Sequence, residues 1–148
     1  MLKDIKKGKP HSFIEDLCVV NDRLYFKAVS GENNPEVYVL QTKNNQVEEI
    51  EGAYSKDNRL PPSQFFEFNG KLYFVTSSLA KGNELWVSDG TTVGTHIVRD
   101  INPSGDAFDD DEGSFRIVWT KDDVFYFVPL LTTQMMRKSH ERVAKDLK

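Results

Sequence analysis

Glu84-Leu-Trp-Val-Ser-Asp-Gly-Thr-Thr-Val-Gly-Thr95, running on into Val98-Arg-Asp-Ile-Asn-Pro103, decides how this chain is read, because parts of it recur elsewhere. Three anchors appear in constant order. The first is Leu2-Lys-Asp-Ile5, Val47-Glu-Glu-Ile50 and Val98-Arg-Asp-Ile101. The second is Asn21-Asp-Arg-Leu-Tyr-Phe26, Asn69-Gly-Lys-Leu-Tyr-Phe74 and Lys121-Asp-Asp-Val-Phe-Tyr-Phe127. The third is Glu36-Val-Tyr-Val39 and Glu84-Leu-Trp-Val87. The steps from 24 to 72, from 36 to 84 and (taken twice) from 2 to 98 agree with one period of 48 residues. A period of ~40–50 residues with strand-like content points to propeller blades or similar stacked units.

Each repeat is written in strand chemistry. Gln64-Phe-Phe-Glu-Phe68 is short and aromatic, and Asn69-Gly70 behind it is the strongest two-residue hairpin signal, since both positions of a type I′ turn need positive φ. Lys71 to Thr76 returns. Glu84 to Ser88 is a third strand, closed by the turn signal Asp89-Gly90. Thr95 to Ile101 reads as a fourth, ending at Asn102-Pro103 because proline cannot donate to a ladder. Leu-Tyr-Phe and Val-Phe-Tyr-Phe-Val do not alternate with polar residues, so these strands are expected to be covered on both faces. A propeller supplies that cover by setting each blade between two neighbours. An ordinary β-sandwich, with one wet face per sheet, is the competing architecture.

The 148 residues make one domain's worth of chain, and ten Phe, five Tyr and two Trp supply the bulk of a modest core. A net charge of −4 gives no electrostatic reason to expect nucleic acid as a partner. Lys3, Lys6, Lys7 and Lys9 read as a solvated basic start. The single cysteine, Cys18, lies in the apolar run Leu17-Cys-Val-Val20 and is expected to behave as a small buried hydrophobe. No stretch approaches the ~18–20 apolar residues of a helical membrane span. The opening Met1-Leu-Lys-Asp-Ile has no apolar signal-peptide core, which leaves a cytoplasmic location and a removed signal as the two readings.

The Glu84–Thr95 stretch with Val98–Pro103, together with Asn69-Gly-Lys-Leu-Tyr-Phe74, resembles the ELWxxDGT repeat family of bacteria. Leu2-Lys-Asp-Ile5 is similar to the tail of a preceding repeat of that family. The likeness spans residues 2 to 131, but only the second repeat matches it well. In the first, Glu36-Val-Tyr-Val-Leu-Gln-Thr-Lys43 lacks the Trp and the Asp-Gly-Thr turn. The resemblance implies propeller-type repeats, an extracellular or cell-surface setting, roles in binding, adhesion or scaffolding, and no shared catalytic residues.

The expected architecture is all-β: antiparallel four-stranded propeller-blade repeats over residues 1–131, followed by a helical tail over 132–148. Full repeats fall at about 13–50 and 64–101, a partial one at 114–131, and residues 2–5 read as a last strand. Two blades and pieces cannot close a ring of ~4–8 blades. Self-association or a protein partner is therefore expected to complete the propeller, unless the tail caps an open stack. That tail lacks Gly and Pro, and Met136, Val143 and Leu147 fall near one helical stripe.

The motif residues Glu84, Leu85, Trp86, Asp89, Gly90, Thr91, Gly94 and Thr95 all have structural work available. Asp89-Gly90 suits left-handed backbone, Thr91 and Thr95 can bond to the loop backbone, Gly94 admits a close approach, and Trp86 can fill the wedge between blades. The functional alternative is a sugar stacking on Trp86 or Tyr38, as in a lectin-like or enzymatic propeller with its site on blade loops. The acidic run Asp106, Asp109, Asp110, Asp111 and Glu112 offers hard oxygen donors that suit Ca²⁺, though its spacing is not that of an EF-hand. His11, His96 and His140 do not pair at metal-ligand spacing. No nucleophile elbow or phosphate-binding glycine loop is present, so the residues give no catalytic assignment and no cofactor beyond that Ca²⁺ reading.

Overall fold

A computed structural model describes residues 3–8, 11–30, 35–53, 60–108, 115–121 and 124–129. Its secondary structure is entirely β among the described residues. The first sheet runs β1 (Glu15–Val20), β2 (Arg23–Val29), β3 (Pro35–Gln41) and β4 (Gln46–Glu49), each strand paired antiparallel with the next. The second runs β5 (Ser63–Phe68), β6 (Lys71–Ser78), β7 (Gly82–Ser88) and β8 (His96–Ile97) in the same order. A hairpin of β9 (Phe115–Lys121) and β10 (Val124–Pro129) follows.

The 48-residue period holds in the backbone itself. Asp16 (φ 52°) and Gln64 (φ 57°) take left-handed conformations at the same repeat position, each beside a bulge in the first strand of its sheet. Asn21 (φ 52°) and Asn69 (φ 48°) do so again at the hairpin turn, and Gly70 (φ 72°) completes the second turn with both central residues at positive φ. Past the bulge, Cys18 pairs with Tyr25, Phe66 with Tyr73 and Trp119 with Tyr126. Each tyrosine stands seven residues beyond its partner, and each hairpin carries its bulge on the first strand. The third hairpin is thus built to the same plan as the other two.

The Leu-Tyr-Phe strands β2 and β6 are covered on both faces, as their lack of alternation predicted, whereas on β10 Phe125 is buried and Tyr126 is exposed. One layer joins Cys18, Val20, Tyr25, Val37 and Val39 of the first sheet to Leu72, Phe74 and Trp86 of the second. The opposite face of the second sheet, with Tyr73, Val75, Leu85 and Val87, packs against Phe125 of the hairpin and against Ala107 and Phe108. The Phe125 ring lies 5.1 Å from Tyr73, 5.3 Å from Phe66 and 5.0 Å from Phe68, edge-on to all three. Phe26, Ala28 and Tyr38 form a third, smaller cluster on the outer face of the first sheet, where Ile5 packs. The two sheets also approach along their first strands, β1 and β5.

Two charged side chains of the first sheet are buried, Lys27 and Glu36. Lys27 is 5% exposed and its Nζ lies 3.1 Å from Glu15 and 2.9 Å from the bulge residue Asp16. Burial works against its charge, but the two carboxylates outweigh that and hold its pKa above the usual lysine value.

Four expectations need correction or limits. Residues 3–5 form no strand. They lie against the face of the first sheet, with Ile5 on the Phe26 cluster and Lys3 Nζ donating to the Val47 carbonyl at 3.0 Å, and a sheet face offers no backbone ladder to join. The fourth strand of the second repeat covers His96–Ile97 and not Thr95–Ile101. The N–H groups of Ile101 and Asn102 turn inward to the Glu84 carboxylate, which takes them out of any ladder. Register also shifts one anchor. Ile50 N–H bonds the Val37 carbonyl as Val98 N–H bonds that of Leu85, so Ile50 corresponds to Val98 and the Val-x-x-Ile anchor slides by three residues. The helix expected over 132–148 lies outside the described residues.

Phe74 is fully buried in the layer shared by the two sheets. Phe74→Ala is expected to cost about 3–5 kcal/mol, the range for a large aromatic truncated in a close-packed core. Urea unfolding followed by tryptophan fluorescence and by far-UV circular dichroism should show both probes shifting together.

Candidate functional site

The Glu84–Thr95 motif builds two linked structures. The first is a carboxylate bracket. Glu84 is fully buried on β7, and its oxygens accept from the Ile101 N–H at 3.2 Å and the Asn102 N–H at 3.4 Å. Burial, with the nearby carboxylates of Asp100 and Asp106, pushes its pKa up to about 7, against the pull of those backbone bonds. Beside it, Asn83 N–H donates to Asp106 Oδ1 at 2.9 Å, and Asn83 Nδ2 donates to the Phe108 carbonyl at 3.0 Å. Asn102 Nδ2 closes the loop on the Asp106 carbonyl at 2.8 Å. Asn83 and Glu84 together tie the segment after β8 to β7.

The second structure is the Asp89–Thr95 turn. Asp89 Oδ1 accepts from the Thr91 N–H at 2.9 Å and the Thr91 hydroxyl at 2.7 Å, which holds its carboxyl below the usual range. Thr91 Oγ1 accepts from the Gly94 N–H at 3.0 Å, and Thr95 Oγ1 donates to the Thr91 carbonyl at 2.6 Å. Of Asp89 and Gly90, only Gly90 (φ 91°) is left-handed; Asp89 acts through its side chain. A methyl group at Gly90 would stand 2.6 Å from the Tyr25 hydroxyl and 2.8 Å from Arg23 Nη1. The Arg23 guanidinium reaches across from the first sheet to donate to the Asp89 carbonyl, and its Nε donates to Gln41 Oε1 at 3.2 Å. The turn therefore serves as a clasp between the sheets.

The residues offered as ligand sites go largely to packing. Trp86 is 8% exposed and stacks on Phe74 at 6.3 Å; Tyr38 is 2% exposed, stacks on Phe26 at 5.7 Å and donates to Glu36 Oε2 at 2.8 Å. A stacking sugar would have to displace the ring already there. Of the acidic run, Asp106 is held by Asn83, and Asp109, Asp110, Asp111 and Glu112 lie outside the described residues. Among the described residues no three His, Cys, Asp or Glu side chains converge as a metal ligand set, and no helix is long and apolar enough to cross a membrane. Cys18 is buried, and burial raises its thiol pKa, which keeps it protonated and inert.

Among the described residues, polar clefts open at the surface, two of which lie near the motif. One, of about 270 Å³, lies beside Asn21, Arg23, Tyr25, Lys43 and Gly70. The other, of about 330 Å³, lies between Lys81, Asp100, Asn102 and Asp106, where Lys81 pairs with Asp100 at 2.7 Å. The first falls just below and the second at the small end of the ~300–1,000 Å³ of ligand pockets, and neither is lined by the apolar walls such pockets usually have. A third feature carries no signal in the run of residues alone. Leu17 (62% exposed) and Val19 (65%) of β1 point outward while Cys18 and Val20 are buried, and Phe13 and Ile14 just before β1 are exposed as well. Leu17-Cys-Val-Val20 looks like one buried run; only its place at a sheet edge separates the two faces.

Set beside known protein families, characterised proteins and solved structures, the chain matches none.

The raised pKa of Glu84 gives a signed prediction. A buried carboxyl that prefers its proton contributes stability that is full below pH 4.5 and is lost as pH rises through about 7. Glu84→Gln, an isostere of the neutral acid, should match the native chain near pH 5 and gain on it by roughly 2 kcal/mol near pH 8. Denaturant titrations of both chains at the two pH values measure this; a constant difference would show that Glu84 is charged throughout. Gly90→Ala meets positive φ and two side chains together, and its melting point should fall by an amount equivalent to about 2 kcal/mol or more.

Proposed function

We propose that this chain is a non-enzymatic binding or scaffold module built from propeller-type repeats, acting through protein–protein contact at the outer face of its first sheet. The observation that carries the reading is the exposed pair Leu17 and Val19, with Phe13 and Ile14 exposed just before β1. Single exposed apolar side chains are ordinary, whereas two on the same face of an edge strand, as Leu17 and Val19 are, favour a protein contact. The motif residues support the same reading by what they are already doing. Glu84, Asp89, Thr91 and Thr95 are engaged with the chain's own backbone, so the motif shapes the module and leaves recognition to its surface.

The propeller reading rests on sheets of four antiparallel strands in sequential order, stacked face to face and approaching along their first strands. The resemblance to ELWxxDGT repeats adds the expectation of a cell-surface adhesion or scaffolding role. Glycan binding through Trp86 or Tyr38 is disfavoured by the burial of both rings.

Leu17→Asp with Val19→Asp tests the reading, because both positions are exposed and a charge there is expected to leave the fold intact. With circular dichroism and melting point unchanged, the double variant should bind protein partners, recovered by cross-linking from the source cells, at least about tenfold more weakly than the native chain. Native binding to a glycan array that the double variant retains would instead favour the lectin reading.

A further inference from the structure

The first unit departs from the second where it turns out of its third strand. Gln41-Thr-Lys43 stands where the 48-residue period puts Asp89-Gly-Thr91, and Arg23 stands where it puts Lys71. The strand register agrees, with Leu24 opposite Leu40 and Leu72 opposite Ser88. Passing from the second unit to the first thus exchanges an acid for an amide, a threonine for a lysine and a lysine for an arginine. The exchanged residues Gln41, Lys43 and Arg23 all line one cleft of about 270 Å³, together with Asn21, Asp22 and Tyr25.

These exchanges leave a positive charge in the cleft without a paired carboxylate. The half-buried Arg23 guanidinium donates through Nη1 to the Asp89 carbonyl and through Nε to Gln41 Oε1 at 3.2 Å, with the Tyr25 hydroxyl beside it. Both acceptors are uncharged. Among the described residues no carboxylate forms an ion pair with Arg23. Asp89 feels its charge, but that carboxylate is turned to the Thr91 N–H and hydroxyl. Lys43 pairs with Asp22 at 2.7 Å, and both side chains are well exposed, so the pair is worth little and Lys43 can swing to a new partner. The cleft therefore carries an excess of one positive charge, on a guanidinium that its neighbours hold in place.

We propose that this cleft binds a small hydrophilic monocarboxylate, a hydroxy acid in chemical class, through Arg23 and Lys43. A guanidinium presents its N–H donors in a fork that fits a carboxylate. The excess of one positive charge suits a monoanion, and the Asp22 carboxylate repels a second negative charge on the ligand. The rest of the lining includes the amides of Asn21 and Gln41 and the Tyr25 hydroxyl, which suit a hydroxyl group on the acid. The cleft is smaller and more polar than pockets that take drug-sized ligands, and a small acid needs no more. Because Arg23 also ties the first sheet to the Asp89 turn of the second, the bound acid sits at the joint between them. The inference is independent of the protein contact proposed at β1.

The test titrates the isotope-labelled full chain with sodium glycolate, the smallest hydroxy acid, exchanged for sodium chloride at constant ionic strength. The Arg23 Nε–H and Gly70 amide resonances should shift and saturate, with a Kd of about 1 mM or tighter. Gln41→Asp returns the second unit's acid to the place opposite Arg23 and should weaken binding at least about tenfold while the melting point holds. Gln41→Glu replaces it should Gln41→Asp lose its cooperative melt. Lys81→Gln makes the same change in net charge at the other cleft and should bind glycolate as the native chain does. A native chain with no saturable shift overturns the proposal. So does undiminished binding by the Gln41 variant. Lys81→Gln weakened as far as Gln41→Asp overturns it too, by reducing the effect to diffuse charge. Inorganic phosphate that binds as its dianion more tightly than glycolate would remove the monocarboxylate assignment.

Discussion

The structure depends on covering strands that are apolar on both sides. Leu72, Tyr73, Phe74 and Val75 are consecutive and all buried. A single sheet can hide only one side of such a strand against one neighbour, so each sheet needs two. The second sheet has them, in the first sheet and the hairpin. Burying a Leu, Val or Phe side chain is worth about 1.5–3 kcal/mol, so a sheet of this composition would not persist with a face open to water. Stacking is therefore what allows the strands to exist.

Stacking alone would permit many registers; the bulges and turns select one. Each first strand carries an extra residue at the same place, which increases local twist and aims the flanking side chains. Arg23, reaching from one sheet to the Asp89 carbonyl on the next, and Asn21, donating to the Gly70 carbonyl at 3.3 Å, tie the turns of adjacent units together. The apolar layers supply the attraction between the sheets, and these polar links fix how one sheet is set against the next.

Much of this was legible in the residues. The first three strands of the two full repeats and the Asn69-Gly70 hairpin follow from composition and spacing. The bulges did not: Gln64 is an unremarkable residue for a strand and carries no sign of a left-handed backbone. Nor did the short fourth strand, because Thr95 to Ile101 alternates well enough to pass for one. What ends it is a carboxylate from β7, brought close only by the fold. The candidate binding face was hidden for a similar reason. Leu17 and Val19 differ from Cys18 and Val20 by parity on an edge strand, and a run of apolar letters does not reveal which of them lies outside.

Hairpins built to one backbone plan in a single chain carry a hazard, since a strand that fits its own partner can fit its neighbour's. Lys27 bears on that. In its own sheet it stands opposite Glu15 with Asp16 beside it; the corresponding pair in the second sheet is Val75 opposite Ser63. Were β2 to zip onto β5, the lysine would arrive opposite Ser63, with Gln64 where Asp16 should be and no carboxylate from that strand to meet it. An ammonium buried without its partners costs roughly 3–5 kcal/mol, enough to reject the exchange. The first unit is thereby marked as distinct from the second, and a three-residue charge cluster proofreads the order in which a repetitive chain assembles.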